Sequence, residues 1–301
     1  MLELATLLDV PQPALSHHLK LLLEAGLLTK RREGTSIFYR RAVPPATGAF
    51  GSYLAAALAV IDEAPLPATL RQRVKRVHAE RGHRSREFFR SHVEEFAEQQ
   101  ALVCAPAVYL GAIEAAIERS GFADRAALDV GVGTGESLAM LSRRFKRVLG
   151  VDESAAMLDR ARERVASLGL DNVTLRHTDV TDIRGTFDLV LMSMVVHHAP
   201  SPVALFRHAR RLLAPHGVLL VVELCTHQQV WTKEACGDVW LGFEPEELDN
   251  WARDTGLAAG EAEYLAQRNG FRIQIRSYRR STDAHSGVHP SSSRETIRES
   301  A

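Results

Sequence analysis

Residues 128–135, with the sequence LDVGVGTG, most constrain what this chain can fold into. The apolar run Ala126–Val130 predicts a buried strand, and residues 136–144 predict a helix. Glycines are needed between them because a side chain would hold the backbone away from a ligand, and because the turn can require φ > 0. Asp152 closes the next predicted strand, where its carboxylate can accept hydrogen bonds from a ribose diol. The pattern therefore predicts a nucleoside cofactor on a Rossmann-like sheet.

The spacing of these glycines separates two kinds of cofactor. A dinucleotide-binding turn has the pattern GxGxxG, with a pyrophosphate at the helix N-terminus. Here the pattern is GxGxG, and Glu136 stands where a carboxylate would repel a pyrophosphate. A ligand with an amino group and a sulfonium would tolerate that carboxylate. The motif resembles motif I of the class I S-adenosyl-L-methionine (SAM) methyltransferases; a chance glycine turn is the alternative.

That resemblance implies SAM as the cofactor and assigns residues to it. In this family an acidic residue after the third strand contacts the adenine amino group, a role that falls on Asp179. A helix or turn cap is the alternative interpretation of Asp179. The residues that the resemblance assigns to the cofactor are Asp129, Gly131, Gly133, Gly135, Asp152, Glu153, Met157, Asp179, Val180 and Met192.

The rest of this region alternates predicted strands and helices, as a doubly wound sheet does. Residues 187–192 resemble the family's fourth strand and residues 212–223 its fifth, although Val132 and His216 depart from the residues usual there. Asn269 and Gly270 form a strong hairpin signal between two further strands. The expected fold is α/β, a Rossmann-like doubly wound methyltransferase sheet with an antiparallel terminal hairpin.

Few residues qualify as catalytic, because methyl transfer from SAM mainly needs a positioned and desolvated nucleophile. His197 and His198 follow the fourth strand, at the carboxyl edge where open α/β sheets bind ligands. They are candidates for orienting or deprotonating a substrate, with a structural role as the alternative. Glu223, at the end of the fifth strand, is a weaker candidate.

The N-terminus carries a second motif. Residues 2–8 and 12–25 predict two helices, Gly26 is a suitable C-cap, and residues 27–32 and 36–41 predict a two-stranded wing. The stretch PALSHHLKLLLEAGLL resembles the recognition-helix region of ArsR/SmtB-type winged-helix repressors, which implies double-stranded DNA as a partner. The residues expected to contact DNA are Gln12, Ser16, His17 and Lys20 on the second helix, and Arg31 and Arg32 in the wing.

The winged helix is expected to be truncated at its N-terminus, because Met1 already lies inside the helix-turn-helix. Its apolar face would then need another cover, and a remnant that does not bind DNA is the alternative. An Ala-rich helix predicted at 48–61 follows the wing where ArsR-like proteins place a dimerisation helix. The resemblance therefore implies a homodimer.

No metal site is predicted. Solvated side chains are the simpler interpretation for the linker histidines, since no two share a helix face at i, i+4. These are His78, His83 and His92. Cys104, Cys225 and Cys236 raise the alternative of an arsenic methyltransferase, but they form no CxxC or adjacent pair. Buried thiols in a reducing cytosol are the other interpretation.

Composition agrees with one large and one small domain: 301 residues, 46% of them hydrophobic, with a formal net charge of zero. The absence of a membrane-spanning apolar run and of a signal peptide predicts a cytoplasmic protein. The predicted domains are a partial winged helix-turn-helix at 1–45, a linker with dimerisation and lid helices at 46–121, a methyltransferase domain at 122–280 and a disordered tail at 281–301.

Three functions are compatible with this combination. The first is a transcriptional regulator that methylates an unidentified small molecule or responds to SAM or S-adenosylhomocysteine (SAH). The second is a sensor that binds SAM or SAH without catalysis. The third is a small-molecule methyltransferase whose DNA-binding segment is vestigial.

Overall fold

The computed structural model describes residues 2–33, 36–45, 47–121 and 123–281, together with the backbone of Glu295–Glu299. The chain forms two compact units, Met1–Arg81 and Gly82–Ala301. The boundary between them falls inside helix α4 (Ala68–Ser91), within the segment predicted as a linker.

The first unit contains the predicted helix-turn-helix and wing. The helix-turn-helix consists of α1 (Leu2–Leu8) and α2 (Gln12–Glu24), and the wing of β1 (Leu28–Glu33) and β2 (Ser36–Arg41). Helix α3 (Ala49–Glu63) and the first part of α4 follow. Strands β1 and β2 pair in antiparallel register, with Arg32 opposite Ile37. Leu15 and Leu19, one turn apart on α2, are its buried side chains.

The end of α2 confirms the predicted C-cap. Gly26 has φ +69°, and its N–H donates to the carbonyl of Leu23 at 3.0 Å while that of Leu27 donates to Leu22 at 2.9 Å. This pair of bonds is a Schellman motif, which a residue with free access to positive φ favours. The chain therefore turns sharply into the wing.

Helix α3 leaves large apolar side chains exposed in this unit. They are Phe50, Tyr53, Val60 and Ile61. Within the described residues, no single helix is long and apolar enough to cross a membrane. The pair Ala49–Glu63 and Ala68–Ser91 meets that criterion only when joined, across a 94° bend.

The second unit consists of a central sheet with helices on both faces. Its elements after α4 are α5 (Val93–Val103), α6 (Pro106–Ser120), β3 (Ala126–Val130), α7 (Leu138–Arg144), β4 (Arg147–Asp152), α8 (Ala155–Leu168), β5 (Val173–His177), β6 (Phe187–Ser193), α9 (Pro202–Leu212), β7 (Leu213–Leu224), α10 (Thr232–Ala235), α11 (Pro245–Asp254), β8 (Leu257–Ala266), β9 (Arg272–Arg280) and β10 (Glu295–Glu299). Two 3₁₀ turns, Val180–Asp182 and Val196–His198, lie at the ends of β5 and β6.

The strand order is β10-β8-β9-β7-β6-β3-β4-β5. Strand β9 runs antiparallel to both β7 and β8, and the other neighbouring pairs are parallel. Strand β3 lies between β4 and β6, so the order reverses there and opens a crevice at the carboxyl ends of these strands. The predicted fold, including its antiparallel hairpin, is confirmed.

Apolar packing on the two faces holds this crevice in place. Helices α6, α7 and α8 contribute Ile113, Leu141 and Leu158 to one core, while Phe206 of α9 and Leu248 of α11 belong to the other. All five residues of β3 are buried, as expected for a central parallel strand.

The structure differs from the sequence prediction at three places. The sequence indicates one helical segment from about 66 to 100, whereas the structure interrupts it at His92, which separates α4 from α5. No separate helix was predicted at the position of α6, within the predicted linker. In the tail predicted to be disordered, residues 282–294, 300 and 301 lie outside the described residues. Glu295–Glu299 pairs with β8 as a parallel edge strand.

Candidate cofactor and acceptor site

The glycine turn after β3 adopts the conformation that its sequence predicts. Gly131, Gly133 and Gly135 have φ values of +68°, +55° and +82°. A Cβ atom added to Gly131 would lie 2.3 Å from Cγ2 of Val195, whereas one added to Gly133 would meet nothing closer than 4.0 Å. Gly131 is therefore required by packing, and the open side of Gly133 is where a ligand can approach the backbone.

Asp152 anchors this turn from the end of β4. Its Oδ2 accepts the N–H of Gly133 at 2.9 Å, and its Oδ1 accepts the N–H of Ser154 at 2.8 Å. Burial raises the pKa of Asp152, although these backbone bonds oppose the shift. Each carboxylate oxygen keeps a second lone pair, so the carboxylate can orient the turn and still accept hydrogen bonds from a diol.

Asp129, the acidic residue within the motif, lies inside the turn. It is 2% exposed, and the hydroxyl of Ser137 donates to its Oδ2. Burial raises the pKa of Asp129 to about 7, the bond from Ser137 opposes the shift, and the charge of Asp152 adds to it. Asp129 therefore holds the start of α7 in place through its hydrogen bond with Ser137.

Tyr109 on α6 is a residue of this site that the sequence analysis missed. Its side chain is buried, its hydroxyl is hydrogen-bonded with Ser193 at the end of β6, and burial raises its pKa, with the charges of Glu136 and Asp129 contributing. No motif marks Tyr109, because only the packing of α6 on the sheet brings it to the glycine turn.

The other residues assigned to the cofactor lie along the same edge of the sheet. Glu153 follows Asp152 and pairs with Arg86 at 3.2 Å. Burial, with the charge of Asp179 as the next cause, raises its pKa. The main-chain N–H of Met157, whose side chain is buried, donates to Ser154 at 3.3 Å.

Asp179 caps a turn, as its alternative interpretation holds. Its Oδ1 accepts the N–H of Thr181 at 2.7 Å. A cap uses one oxygen of the carboxylate, so the geometry does not exclude a ligand contact through the other. Val180 is 9% exposed at the rim, whereas Met192 has no exposed surface and packs in the core beneath the edge.

His197 and His198 lie in the 3₁₀ turn after β6, as predicted, and are joined by carboxylates from two other segments. Glu223, at the end of β7, accepts the Nδ1 proton of His197 at 2.5 Å and the main-chain N–H of His197 at 3.1 Å. Asp238 places Oδ1 3.7 Å from Nε2 of His197 and 3.9 Å from Nδ1 of His198. The structure thus places Glu223 beside His197 and adds Asp238, which the sequence analysis missed.

The loop that carries Asp238 is bound directly to the histidine turn. The main-chain N–H groups of Val239 and Trp240 donate to the carbonyl of His197 at 3.0 and 3.1 Å. The ring of His198 contacts the carbonyl of Gly237 through Nδ1 at 3.2 Å. These bonds bring together residues that are forty positions apart, which no local spacing could reveal.

The charges of this cluster determine its protonation. Burial lowers the pKa of His197, but the carboxylates of Glu223 and Asp238 outweigh it and raise the pKa to about 9. Burial and the neighbouring His197 hold the pKa of His198 well below its usual value. Burial raises the pKa of Asp238 to about 6. His197 is therefore the charged member and His198 the neutral one.

Aromatic rings of α4 and α5 pack against the cluster. The ring of Phe89 meets His198 edge-on with centroids 4.9 Å apart, and Phe96 lies at 6.2 Å. Met194, at the end of β6, has φ +52°. A positive φ is strained for a residue with a side chain, and residues with a strained backbone are concentrated at functional sites.

Within the part of the chain that the structure describes, the cysteines fall in no common group of potential metal ligands. Cys104, Cys225 and Cys236 are all buried. Among the described residues the only group of three or more potential metal ligands is His197, His198 and Asp238. Burial raises the pKa of Cys104 to about 12 and, with the charge of Asp238 adding, that of Cys236 to about 12. Protonated thiols are poor ligands.

The residues expected to contact DNA are mostly at the surface of the first unit. Gln12, His17, Lys20 and Arg32 are exposed. Ser16 donates its hydroxyl to the carbonyl of Gln12 at 2.8 Å. Lys20 lies 3.7 Å from Glu24, and Arg31 is paired with Glu33.

Comparison with known proteins supports both modules. Residues 127–217 match the family model for a methyltransferase domain, and residues 2–31 match that for a helix-turn-helix domain. The second unit carries a SAM-dependent methyltransferase domain.

Two of the curated relatives that match this domain are methyltransferases with different names. The chain is 26% identical over 159 residues to the ubiquinone biosynthesis O-methyltransferase of Pseudomonas paraeruginosa. That alignment covers 46% of this chain and 67% of that protein. It is 35% identical over 102 residues to the trans-aconitate 2-methyltransferase of Deinococcus radiodurans, covering 33% of this chain and 38% of that protein. The aligned stretches thus span as little as about two fifths of the curated relatives.

Solved structures show the same fold at low identity. Magnesium protoporphyrin IX methyltransferase from Synechocystis matches with a TM-score of 0.56 and 17% identity, covering 67% of this chain and 100% of the other. The (4+2) cyclase SpnF matches with a TM-score of 0.53 and 15% identity, covering 66% of this chain and 96% of the other. A cyclase on this fold shows that the fold alone does not determine the reaction.

Proposed function

We propose that this protein is a SAM-dependent methyltransferase of a small molecule, joined to an ArsR-like DNA-binding module with which it regulates transcription. The glycine turn after β3 is the observation that supports the SAM-dependent methyltransferase. Gly133 leaves its ligand side open, and Asp152 binds the turn at the point where the strand order reverses.

The residues present fit SAM. Gly131, Gly133 and Gly135 would admit its amino-acid part, Asp152 would accept the ribose hydroxyls, and Asp179 and Val180 would border the adenine. SAM supplies a methyl group on a sulfonium that is already activated for displacement. The protein then has to position an acceptor and exclude water. The buried cluster of His197 and His198, under Phe89 and Phe96, would do both.

Loss of the Asp152 carboxylate tests the cofactor site. We expect Asp152→Ala to weaken SAM and SAH binding by about ten- to a hundredfold, because a charge-assisted hydrogen bond contributes roughly 1.5–3 kcal/mol. Calorimetric titration of the purified full chain measures this. Asp171→Ala, which removes an exposed carboxylate, is the matched control and should bind normally. Equal affinity in wild type and Asp152→Ala would contradict the assignment.

Turnover separates an enzyme from a sensor. A methyltransferase should convert SAM to SAH in the presence of candidate small-molecule acceptors, whereas a sensor would bind SAM or SAH without conversion. A strong preference for SAH over SAM, with no turnover, would favour the sensor.

The helix-turn-helix match and the exposed polar face of α2 favour DNA binding as the second part of the function. We expect wild-type protein to bind a labelled random-sequence DNA duplex with salt-dependent affinity, measured by fluorescence anisotropy. Lys20→Ala and Arg32→Ala should each lower the slope of log affinity against log salt by about 0.9 if each side chain contacts a phosphate. Lys146→Ala, exposed on the second unit, should leave the slope unchanged.

Failure of wild-type protein to bind any duplex would favour the vestigial alternative. Homodimerisation through α3 and a cytoplasmic location stay predictions. The exposed Phe50 and Tyr53 on α3 support the first of them.

A further inference from the structure

We propose that His197, His198 and Asp238 bind a divalent transition-metal ion of the Zn²⁺ class. One potential ligand atom from each residue lies within 4.8 Å of the other two. Nε2 of His197 and Oδ1 of Asp238 are 3.7 Å apart, so a common centre at the Zn²⁺ bonding distance of about 2 Å from both atoms already exists between them.

Glu223 orients the first ligand in the way that metal sites require. It accepts the Nδ1 proton of His197, so a metal ion would displace only the Nε2 proton of the imidazolium, on the ring atom that faces Asp238. A histidine ligand usually donates its other ring N–H to a carboxylate or carbonyl, which sets both the tautomer and the ring orientation. Glu223 also accepts the main-chain N–H of His197 and of Leu224, so its own position is determined.

Buried polar atoms without hydrogen-bond partners supply a second, independent observation. Within the described part of the chain, neither Oδ2 of Asp238 nor Nε2 of His198 has a hydrogen-bond partner, and both atoms are buried. Such atoms cost free energy unless something satisfies them. Nδ1 of His198 already contacts the carbonyl of Gly237, so Nε2 is the nitrogen left for a metal ion, and Asp238 can offer either of its carboxylate oxygens.

Charge and ligand type indicate the class of ion. Glu223 and Asp238 bring two carboxylates into a cluster where each is less than a tenth exposed, and a divalent cation would balance their formal charge. Two imidazoles and one carboxylate suit Zn²⁺, and three protein ligands leave a fourth position open. At the carboxyl edge of β6 and β7, that position would bind an oxygen of the acceptor, a role that rests on the proposed function.

Metal titration of the full chain tests the site without reference to activity. Protein stripped with a chelator and dialysed is titrated with Zn²⁺ in competition with a chromogenic chelator. We expect the wild type to bind one equivalent, and Asp238→Asn and His198→Gln to bind it at least about a hundredfold more weakly. His216→Gln, at an exposed histidine, is the matched control. Glu223→Gln should weaken binding by about ten- to a hundredfold.

Two further measurements distinguish the loss of a metal ligand from a failure of the variant to fold. Co²⁺ in place of Zn²⁺ should give visible absorption bands typical of four-coordinate nitrogen and oxygen ligation in the wild type, and these bands should be lost in Asp238→Asn. SAM titration of the same variant reports whether the domain is folded. Normal SAM binding with Zn²⁺ affinity equal to that of the wild type would overturn the proposal, as would a wild type that binds no stoichiometric Zn²⁺. Absence of SAM binding in the wild type would instead contradict the proposed function alone.

Discussion

Gly131→Ala is expected to destabilise the second unit by about 2–5 kcal/mol and to weaken SAM binding at least about a hundredfold. Two effects combine. A non-glycine residue in the left-handed region costs about 1–2 kcal/mol, and Gly131 has φ +68°. The new Cβ would also lie 2.3 Å from the side chain of Val195, and overpacking of this kind costs about 1–3 kcal/mol. Relief of the clash would displace either the turn or the segment that leads to His197.

Denaturant unfolding and SAM calorimetry measure the two consequences separately. Gly169→Ala is the matched control: Gly169 has φ +61° and nothing within 4 Å of an added Cβ, so it should show the backbone cost alone and bind SAM normally. Gly133→Ala should cost no more stability than Gly169→Ala but should lose SAM affinity, because its open side faces the ligand. A Gly133→Ala protein with wild-type SAM affinity would contradict the placement of the cofactor.

Glu223→Ala is expected to destabilise the second unit by about 3–5 kcal/mol, the usual consequence of leaving one member of a buried ionic pair without its partner. The carboxylate is fully buried and accepts three hydrogen bonds, from Nδ1 and the main-chain N–H of His197 and from the main-chain N–H of Leu224. Alanine would leave all three donors buried without this acceptor.

Urea unfolding followed by tryptophan fluorescence reports on the correct unit, because Trp231, Trp240 and Trp251 all lie in it. Glu223→Gln keeps the shape and one acceptor oxygen, so its loss should be smaller than that of Glu223→Ala. Glu246→Ala, at an exposed carboxylate, should be close to wild type. If Glu223→Ala unfolded at the same urea concentration as Glu246→Ala, the buried pair with His197 would not contribute to stability.

Much of the cofactor side of this domain could be predicted from sequence because its determinants are local. The glycine turn and the acidic end of β4 each depend on residues within a few positions of one another. The Schellman motif at Gly26 was predictable for the same reason, since a C-cap is a property of one helical turn.

The acceptor side could be predicted only in part. His197 and His198 were identified from their place after a strand, and Glu223 from its place at the end of another. The pairing of His197 with Glu223, and the approach of Asp238, depend on β6 and β7 being neighbours and on the loop at 237–240 binding the carbonyl of His197. Tyr109 was missed because α6 was not predicted.

The sequence by itself determined the class of fold and the turn that faces the cofactor, because hydrophobic periodicity, glycine spacing and capping act over short distances. Only the tertiary structure decided which titratable groups meet. Sheet pairing and the loop at 237–240 bring His197, Glu223 and Asp238 into one buried cluster, where low solvent exposure strengthens the histidine–carboxylate pair.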